Sequence, residues 1–231
     1  MLNYRAILFD FDGVVADTES IHSEIFRAVL AREGIRLTAQ DHDERFLGVN
    51  DWAGFPKAFR EVGRNLDPER ARELVEEKSG LYQRRRHEVQ PFRGVPNLLE
   101  AISNTCGLAI ASGARGRDIE AILKEHDLLH HFRTIVSADE VSRSKPEPDV
   151  FLAALENLRT CPGPPQNLDT LTPQECLVVE DSPNGVRAAK AAGMDCLAVA
   201  TSVRASELQE ADRVVETLAF LSGTELLRRR G

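Results

Sequence analysis

The chain lacks several things, and each absence removes a class of protein. No apolar run approaches the roughly 20 residues needed to cross a bilayer, so no membrane span is expected. Positive charge is scarce: 29 Lys and Arg stand against 37 Asp and Glu, a formal net charge of −8. Affinity for nucleic acid draws mainly on Lys and Arg contacts to phosphates, so a general polyanion-binding surface is not expected. The basic clusters Arg84–His87 and Arg228–Arg230 read as solvated helix faces or tails. There are four cysteines, Cys106, Cys161, Cys176 and Cys196, with no CxxC pair and no metal-ligand spacing with histidine. Three of them lie in or beside apolar runs, which suits reduced structural thiols. The first apolar run starts within a few residues of Met1 and leaves no room for a signal peptide. A soluble, cytoplasmic protein is expected. Internal repeats are absent too, and the one biased segment, Cys161–Pro173 with four prolines and a glycine, reads as a surface loop.

What is present is ordinary globular composition, 42% hydrophobic and 29% charged over 231 residues, enough for one sizeable domain and a smaller insert. The apolar run Ala6-Ile7-Leu8-Phe9 ends in Asp10-Phe11-Asp12-Gly13-Val14. Such a run bounded by a glycine turn has the look of a buried strand in a parallel sheet, and ligands gather where those strands end. Two carboxylates one residue apart repel each other unless a cation or a proton intervenes. A metal, an acid/base role, or both are therefore expected at Asp10 and Asp12.

Beyond this turn the pattern becomes helical. Asp17 or Thr18 can cap a helix in which Ile21, Ile25, Ala28, Val29 and Arg32 recur at three- and four-residue steps up to Gly34. Three more helices follow with no strand between them: one near Ala39–Phe46, one carrying Trp52, Phe55, Phe59 and Val62, and one opening on Asp67 and Pro68. From Val95 the pattern alternates instead. Apolar runs at Leu108–Ala111, Thr134–Val136, Leu177–Val179 and Leu197–Ala200 are separated by helical patterns at Ile119–Leu123, Val150–Leu158 and Val186–Ala192. Alternation of this kind predicts an α/β fold, a Rossmann-like parallel sheet with helices on both faces. The first strand belongs to that sheet. The expected division is a catalytic core of residues 1–16 and 91–231 with an inserted helical bundle of residues 17–90, returning through Pro91 and Gly94.

Three further stretches fall at or just after strand ends. Ala111-Ser112-Gly113 offers a hydroxyl and an amide to an anion, or is simply the turn into a helix. Ser144-Lys145-Pro146-Glu147-Pro148 holds a lysine between prolines before a helix, where a lone surface lysine is the plainer reading. Glu180-Asp181-Ser182-Pro183 follows a strand directly. Ser182 and Pro183 read as a helix cap and first turn, which leaves two acids side by side where unpaired charge is costly. Four carboxylates, a lysine, a hydroxyl and a helix start are the parts needed to move a phosphoryl group.

In order and spacing, Asp10-Phe11-Asp12-Gly13-Val14, Ser112-Gly113, Lys145-Pro146 and Glu180-Asp181 resemble the four motifs of the haloacid dehalogenase superfamily of phosphohydrolases. The similarity is to the subgroup with a helical cap inserted after the first motif, which includes β-phosphoglucomutase-like phosphatases, and it covers essentially the whole chain. The resemblance implies Asp10 as nucleophile attacking phosphorus, and Asp12 as the acid that protonates the leaving alcohol and then the base that activates water. It implies Mg2+ held by Asp10, Asp181 and the main-chain carbonyl of Asp12, with Glu180 as a supporting or direct ligand. Ser112 and the Gly113 amide would grip the phosphate, and Lys145 would bridge the nucleophile and the transferring group. Thr18, His22 and Lys78 match cap and hinge positions that help closure and substrate contact, although for His22 a structural role is an equal alternative. The expected partner is a small phosphorylated metabolite, and the expected state a monomer with a weak dimer as the alternative.

The sequence also departs from the pattern. Mutase-type relatives place a lysine and an arginine at the first turn of the cap to hold a second phosphate. Phe46-Leu47-Gly48-Val49-Asn50-Asp51 has Leu47 and Asp51 there, and Asp51 would repel a second anion. Hydrolysis of a phosphomonoester is therefore preferred to mutase-type transfer on a sugar phosphate. After Gly113 the chain continues Ala114-Arg115 without the asparagine common in the family; Arg115 is left as an added charge or a solvent-facing residue. Asp12 argues against dehalogenases and phosphonate-cleaving relatives, neither of which uses that carboxylate. A non-catalytic binding module on the same fold is opposed by the filled chemical positions.

Overall fold

The computed structural model describes residues 4–47, 49–162 and 167–229. Gly48, residues 163–166 of the proline-rich stretch, and Arg230 of the C-terminal basic cluster lie outside the described residues. In chain order the elements are β1 (Ala6–Phe9), α1 (Thr18–Arg32), α2 (Ala39–Arg45), α3 (Asp51–Glu61), α4 (Pro68–Arg85), α5 (Val95–Ile102), β2 (Gly107–Ala111), α6 (Gly116–Glu125), β3 (Thr134–Val136), α7 (Asp149–Thr160), β4 (Cys176–Glu180), α8 (Pro183–Ala191), β5 (Asp195–Val199), β6 (Arg213–Val215) and α9 (Gly223–Leu227). The chain divides into two compact units, one running up to Asp17 and again from Gln90, the other Thr18–Val89.

The first unit is built on a parallel six-stranded sheet of order β3-β2-β1-β4-β5-β6. Its central strand β1 is apolar at every position because both faces of the sheet are covered: all four of its residues have no measurable exposure. Ala6, Leu8, Ala109, Val178 and Cys196 share a core with Phe151, Leu155 and Leu158 of α7 and with Val186 and Ala189 of α8. The expected α/β architecture is thus present. One strand is not expected from the sequence: β6, three half-buried residues at the sheet edge preceded by Asp212 and followed by Glu216, is too short for an apolar run or alternation to register.

The strand order decides where a ligand can sit. From β1 the chain builds β2 and β3 outward on one side, then returns to lay β4, β5 and β6 on the other. The order reverses between β1 and β4, and at such a switch point the loops leaving neighbouring strands part to form a crevice. β1 and β4 run in register, Phe9 against Val179, so Asp10 and Glu180 emerge side by side. Beyond Asp10 the chain turns tightly, with Val15 and Ala16 amides donating to the Phe11 carbonyl at 2.9 and 3.0 Å. Gly13 has φ +75°, a conformation that glycine adopts without steric cost. The outgoing and returning segments are paired at this edge of the unit: the Asp17 amide donates to the Gln90 carbonyl at 2.9 Å and the Phe92 amide to Val15 at 3.0 Å.

The second unit is four helices. Local chemistry starts each of the last three: Thr38 and Asp41 form a capping box for α2, Asn50 accepts from the Ala53 amide ahead of α3, and Asp67 with Pro68 opens α4. α1 gives way at Gly34, φ +79°, where the Ile35 amide reaches back to the Leu30 carbonyl at 2.9 Å. Ile25, Phe26, Val29 and Leu30 of α1 are buried, and the Phe26 ring lies 4.8 Å from Phe55 and 5.3 Å from Phe46, centroid to centroid. On α3 only the middle of the apolar stripe is covered. Phe55 and Phe59 are buried, while Trp52 in its first turn and Val62 just past its end are more than half or half exposed. Among the described residues no helix is long and apolar enough to cross a membrane.

Candidate active site

At the crevice, the ends of three adjacent strands deliver their next residues together. Asp10 follows β1, Ser112 follows β2, and Glu180 closes β4 with Asp181 beyond it. All four are buried. One carboxylate oxygen each from Asp10, Glu180 and Asp181 lie within 4.8 Å of one another. Lys145, from the loop ahead of α7, reaches in to donate to Asp10 Oδ1 at 2.7 Å and Glu180 Oε1 at 2.6 Å. Its ammonium also sits over the Phe151 ring, 5.0 Å from the centroid, so an apolar wall and two carboxylates fix its place together.

Glu180 is the most constrained of the acids. Its Oε1 takes the Lys145 proton donor, while its Oε2 accepts from the Asp181 amide at 2.9 Å and from the Ser182 amide and hydroxyl at 3.0 Å each. Ser182 in turn caps α8 by accepting from the Gly185 amide at 3.1 Å. A Cβ on Gly185 would stand 1.8 Å from the Glu180 carboxylate, so glycine there is a condition of the buried acid. Gly13 has the same function towards Asp181: a Cβ on it would fall 1.8 Å from Asp181 Oδ2. Asp181 Oδ2 accepts a hydrogen bond from the Ser202 hydroxyl, and the neighbouring Thr201 hydroxyl donates to the Gly13 carbonyl.

Thr201 and Ser202 are not among the residues that the sequence singles out. Their signal is positional, since they follow β5 at the same end of the sheet as the other site residues. Two hydroxyls in a loop carry no motif by themselves.

Charge in this pocket does not balance. Three buried carboxylates face a single ammonium, which leaves a deficit of two positive charges when all are ionised. Burial pushes the Asp10 carboxyl up to about 7, and Glu180 and Asp12 add to the rise while Lys145 opposes it. Asp181 is likewise raised well above the usual carboxylate range by burial, then by Asp10 and Glu180. Burial works against the charge on Lys145, but Asp10 and Glu180 outweigh it and hold the ammonium charged. A divalent cation would supply the missing charge, and an all-oxygen donor set of few carboxylates with room for water and phosphate suits Mg2+. By its donor chemistry, then, the cluster fits the metal.

The remaining sequence candidates fall in two groups. Asp12 is half-buried in the tight turn and close enough to act electrostatically on Asp10. Ser112 accepts from the Ala114 amide at 3.1 Å, and Gly113 is exposed with open space where a Cβ would point. Arg115 is exposed as the residue before α6. Thr18, His22 and Lys78 belong to the helical unit. There Lys78 donates to Asp51 Oδ1 at 2.6 Å and lies 3.4 Å from His22 Nδ1, with the His22 ring stacked on Tyr82 at 4.2 Å. Thr18 is the buried first residue of α1.

A family profile described as haloacid dehalogenase-like hydrolase matches residues 7–199, from β1 to the end of β5. The chain belongs to the haloacid dehalogenase-like hydrolases. A phosphorylated carbohydrates phosphatase from Thermotoga maritima is 33% identical over 194 residues, covering 83% of this chain and 82% of its own. The fructose-1-phosphate phosphatase YqaB of Escherichia coli is 30% identical over 204 residues, covering 85% and 96%. The protein SUPPRESSOR OF QUENCHING 1, chloroplastic, of Arabidopsis thaliana is 33% identical over 213 residues, but this hydrolase spans 19% of its length. Among solved structures, CbbY from Rhodobacter sphaeroides in complex with phosphate superposes with a TM-score of 0.74 at 27% identity, covering 97% of this chain and 99% of that one.

Proposed function

We propose that this hydrolase is a Mg2+-dependent phosphatase acting on a small phosphorylated metabolite of the sugar-phosphate class, through a phosphorylated Asp10. The observation that carries the proposal is the buried cluster at the β1/β4 crevice, with three carboxylates against one lysine. Such a cluster is costly to keep in a folded protein unless its charge serves binding. The names of the relatives above support the substrate class.

Asp10, Asp181 and the Asp12 carbonyl are assigned to hold the cation, with Glu180 supporting them. When bound, Mg2+ would neutralise phosphate oxygens and keep Asp10 ionised as a nucleophile. A carboxylate oxygen of Asp10 attacks phosphorus, the bond from phosphorus to the leaving oxygen breaks, and Asp12 gives its proton to the departing alcohol. Water then attacks the phosphorus, Asp12 takes up its proton, and inorganic phosphate leaves with Asp10 regenerated. Lys145 balances charge on Asp10 and the transferring group, while Ser112 and the Gly113 amide orient phosphate oxygens. Selection of the leaving group is assigned to the helical unit, where Lys78 already has a carboxylate partner in Asp51. That pairing, with Leu47 and Asp51 in place of the mutase cations, favours hydrolysis over transfer to a second position on a sugar.

Phosphate release from a panel of phosphorylated sugars, with and without Mg2+, tests the reading. Release is expected with Mg2+ and not with chelator, and Asp10→Asn should abolish it in a protein that stays folded by circular dichroism. Near-normal turnover in that variant removes the nucleophile assignment. Conversion of glucose 1-phosphate to glucose 6-phosphate, rather than to sugar and phosphate, would replace the phosphatase with a mutase.

A further inference from the structure

We propose that Glu100, His130 and His131 form a zinc-binding site at the opposite end of the sheet from the acidic cluster. Glu100 lies in the last turn of α5, just before β2, and the histidines form a single 3-10 turn, Leu129–His131, just before β3. Both segments therefore sit at the N-terminal ends of parallel strands, whereas the acidic cluster gathers at the C-terminal ends. One ligand atom from each of the three residues lies within 4.8 Å of the others.

Several features set this group apart from a chance surface pair. His131 is buried, and its Nδ1 is 3.2 Å from the hydroxyl of Ser103, the residue that ends α5. That contact fixes the ring and turns the other nitrogen, Nε2, towards Glu100 Oε2 at 3.8 Å. Outer hydrogen bonds of this type orient the imidazole ligands of metal sites. Tetrahedral zinc with bonds of about 2.0–2.1 Å brings its ligand atoms to about 3.3 Å apart, so a small shift of the exposed Glu100 side chain closes the site. Adjacent residues on a tight turn usually diverge, yet the His130 and His131 rings lie 4.0 Å apart. Asp127 Oδ1 adds a second carboxylate 3.6 Å from His130 Nδ1.

The donor set also selects the ion. Two imidazoles and a carboxylate suit zinc, whereas magnesium takes oxygen ligands. The two ends of one sheet thus carry sites for different cations. Zinc here would tie the end of α5 to the turn that leads into the edge strand β3, leaving a coordination position for water.

The test is calorimetric titration of Zn2+ into the full chain in saturating Mg2+, which keeps the acidic cluster filled. Wild type is expected to bind one equivalent. Glu100→Gln and His130→Ala, both exposed positions, should weaken binding by about tenfold or more, and Ser103→Ala by about 10- to 100-fold through loss of the ring's orientation. Zinc-free phosphate release in Mg2+ should be unchanged in Glu100→Gln and His130→Ala, which separates this site from the proposed catalytic one. No zinc uptake by wild type in excess Mg2+, or equal uptake by wild type and these two variants, would overturn the proposal.

Discussion

Each unit of the molecule sets a largely shielded lysine against carboxylate, with side-chain exposures of 8% and 13%, and the two arrangements differ in balance. Lys78 in the helical unit has Asp51 at 2.6 Å and lies 3.4 Å from His22 Nδ1, and Asp51 retains 29% of its side-chain exposure. Lys145 in the sheet unit has Asp10 and Glu180 at 2.7 and 2.6 Å, with Asp181 beside them and Glu180 fully buried. A pair that balances itself calls for no further charge. A cluster short of two positive charges has a place for a cation. The same residue type, buried to a similar degree, therefore carries opposite implications, and the carboxylates around it decide which applies.

Replacing each lysine should separate the two most sharply. Lys145→Met strands two buried carboxylates and should cost about 3–5 kcal/mol in metal-free protein, the range for breaking a buried ion pair. Mg2+ should recover part of that loss. Lys78→Met leaves only the partly exposed Asp51 and should cost about 1–3 kcal/mol, with no recovery on adding Mg2+. Urea unfolding with and without Mg2+ reads both, and equal losses with equal recovery would dissolve the distinction.

The pH dependence follows from the same imbalance. In the folded, metal-free protein Asp10 holds its proton up to about 7 against a usual value of 3.8, and Asp181 is raised in the same direction. Between those limits the unfolded chain binds fewer protons than the folded one, so stability falls as pH rises from about 4 through about 7. Thermal unfolding without metal should show this decline. Mg2+ at about a hundred times its dissociation constant should restore about 2.7 kcal/mol above pH 7, and Asp10→Asn should flatten the metal-free slope. A melting temperature independent of both pH and Mg2+ would contradict the imbalance.

Two glycine substitutions sharpen the steric side of the comparison. Gly185→Ala drives a methyl into the Glu180 carboxylate and should cost about 1–3 kcal/mol, whereas Gly113→Ala, with open space around it, should stay within about 0.5 kcal/mol. Ser202→Ala, which removes the donor to Asp181 Oδ2, tests the metal side alone. It should weaken Mg2+ binding by about 10- to 100-fold, as the loss of other outer-shell partners does, while turnover at saturating Mg2+ stays close to wild type.

Much of the sheet was legible because its central strands are buried on both faces, and such strands write themselves as unbroken apolar runs ending in a turn. Thr134–Val136 was read at its observed bounds, and Asp67 with Pro68 marked the start of α4. The edge strand β6 left no such trace, since three half-exposed residues flanked by acids have neither period nor run. In the candidate site, Asp10, Glu180 and Asp181 stand out as acids at strand ends, whereas Lys145, in the loop ahead of α7, reads alone as a surface lysine and is marked only by the order of the four motifs; the structure brings the four within reach of one another. Thr201 and Ser202 were not, because their role comes from the approach of β5 to the turn at Gly13, a contact between residues 188 positions apart. The requirement for glycine at Gly185 was equally hidden: it depends on where the Glu180 side chain folds back, which no local pattern records.

The most direct test of the proposed cation site is calorimetric titration of Mg2+ into metal-free protein near pH 7, run in two buffers of different ionisation enthalpy. Because burial raises both carboxyls in the metal-free protein, Asp10 to about 7, binding should displace protons. The account predicts one Mg2+ bound with net proton release, and loss of both signals in Asp181→Asn. Binding without proton release, or binding unchanged in Asp181→Asn, would contradict it.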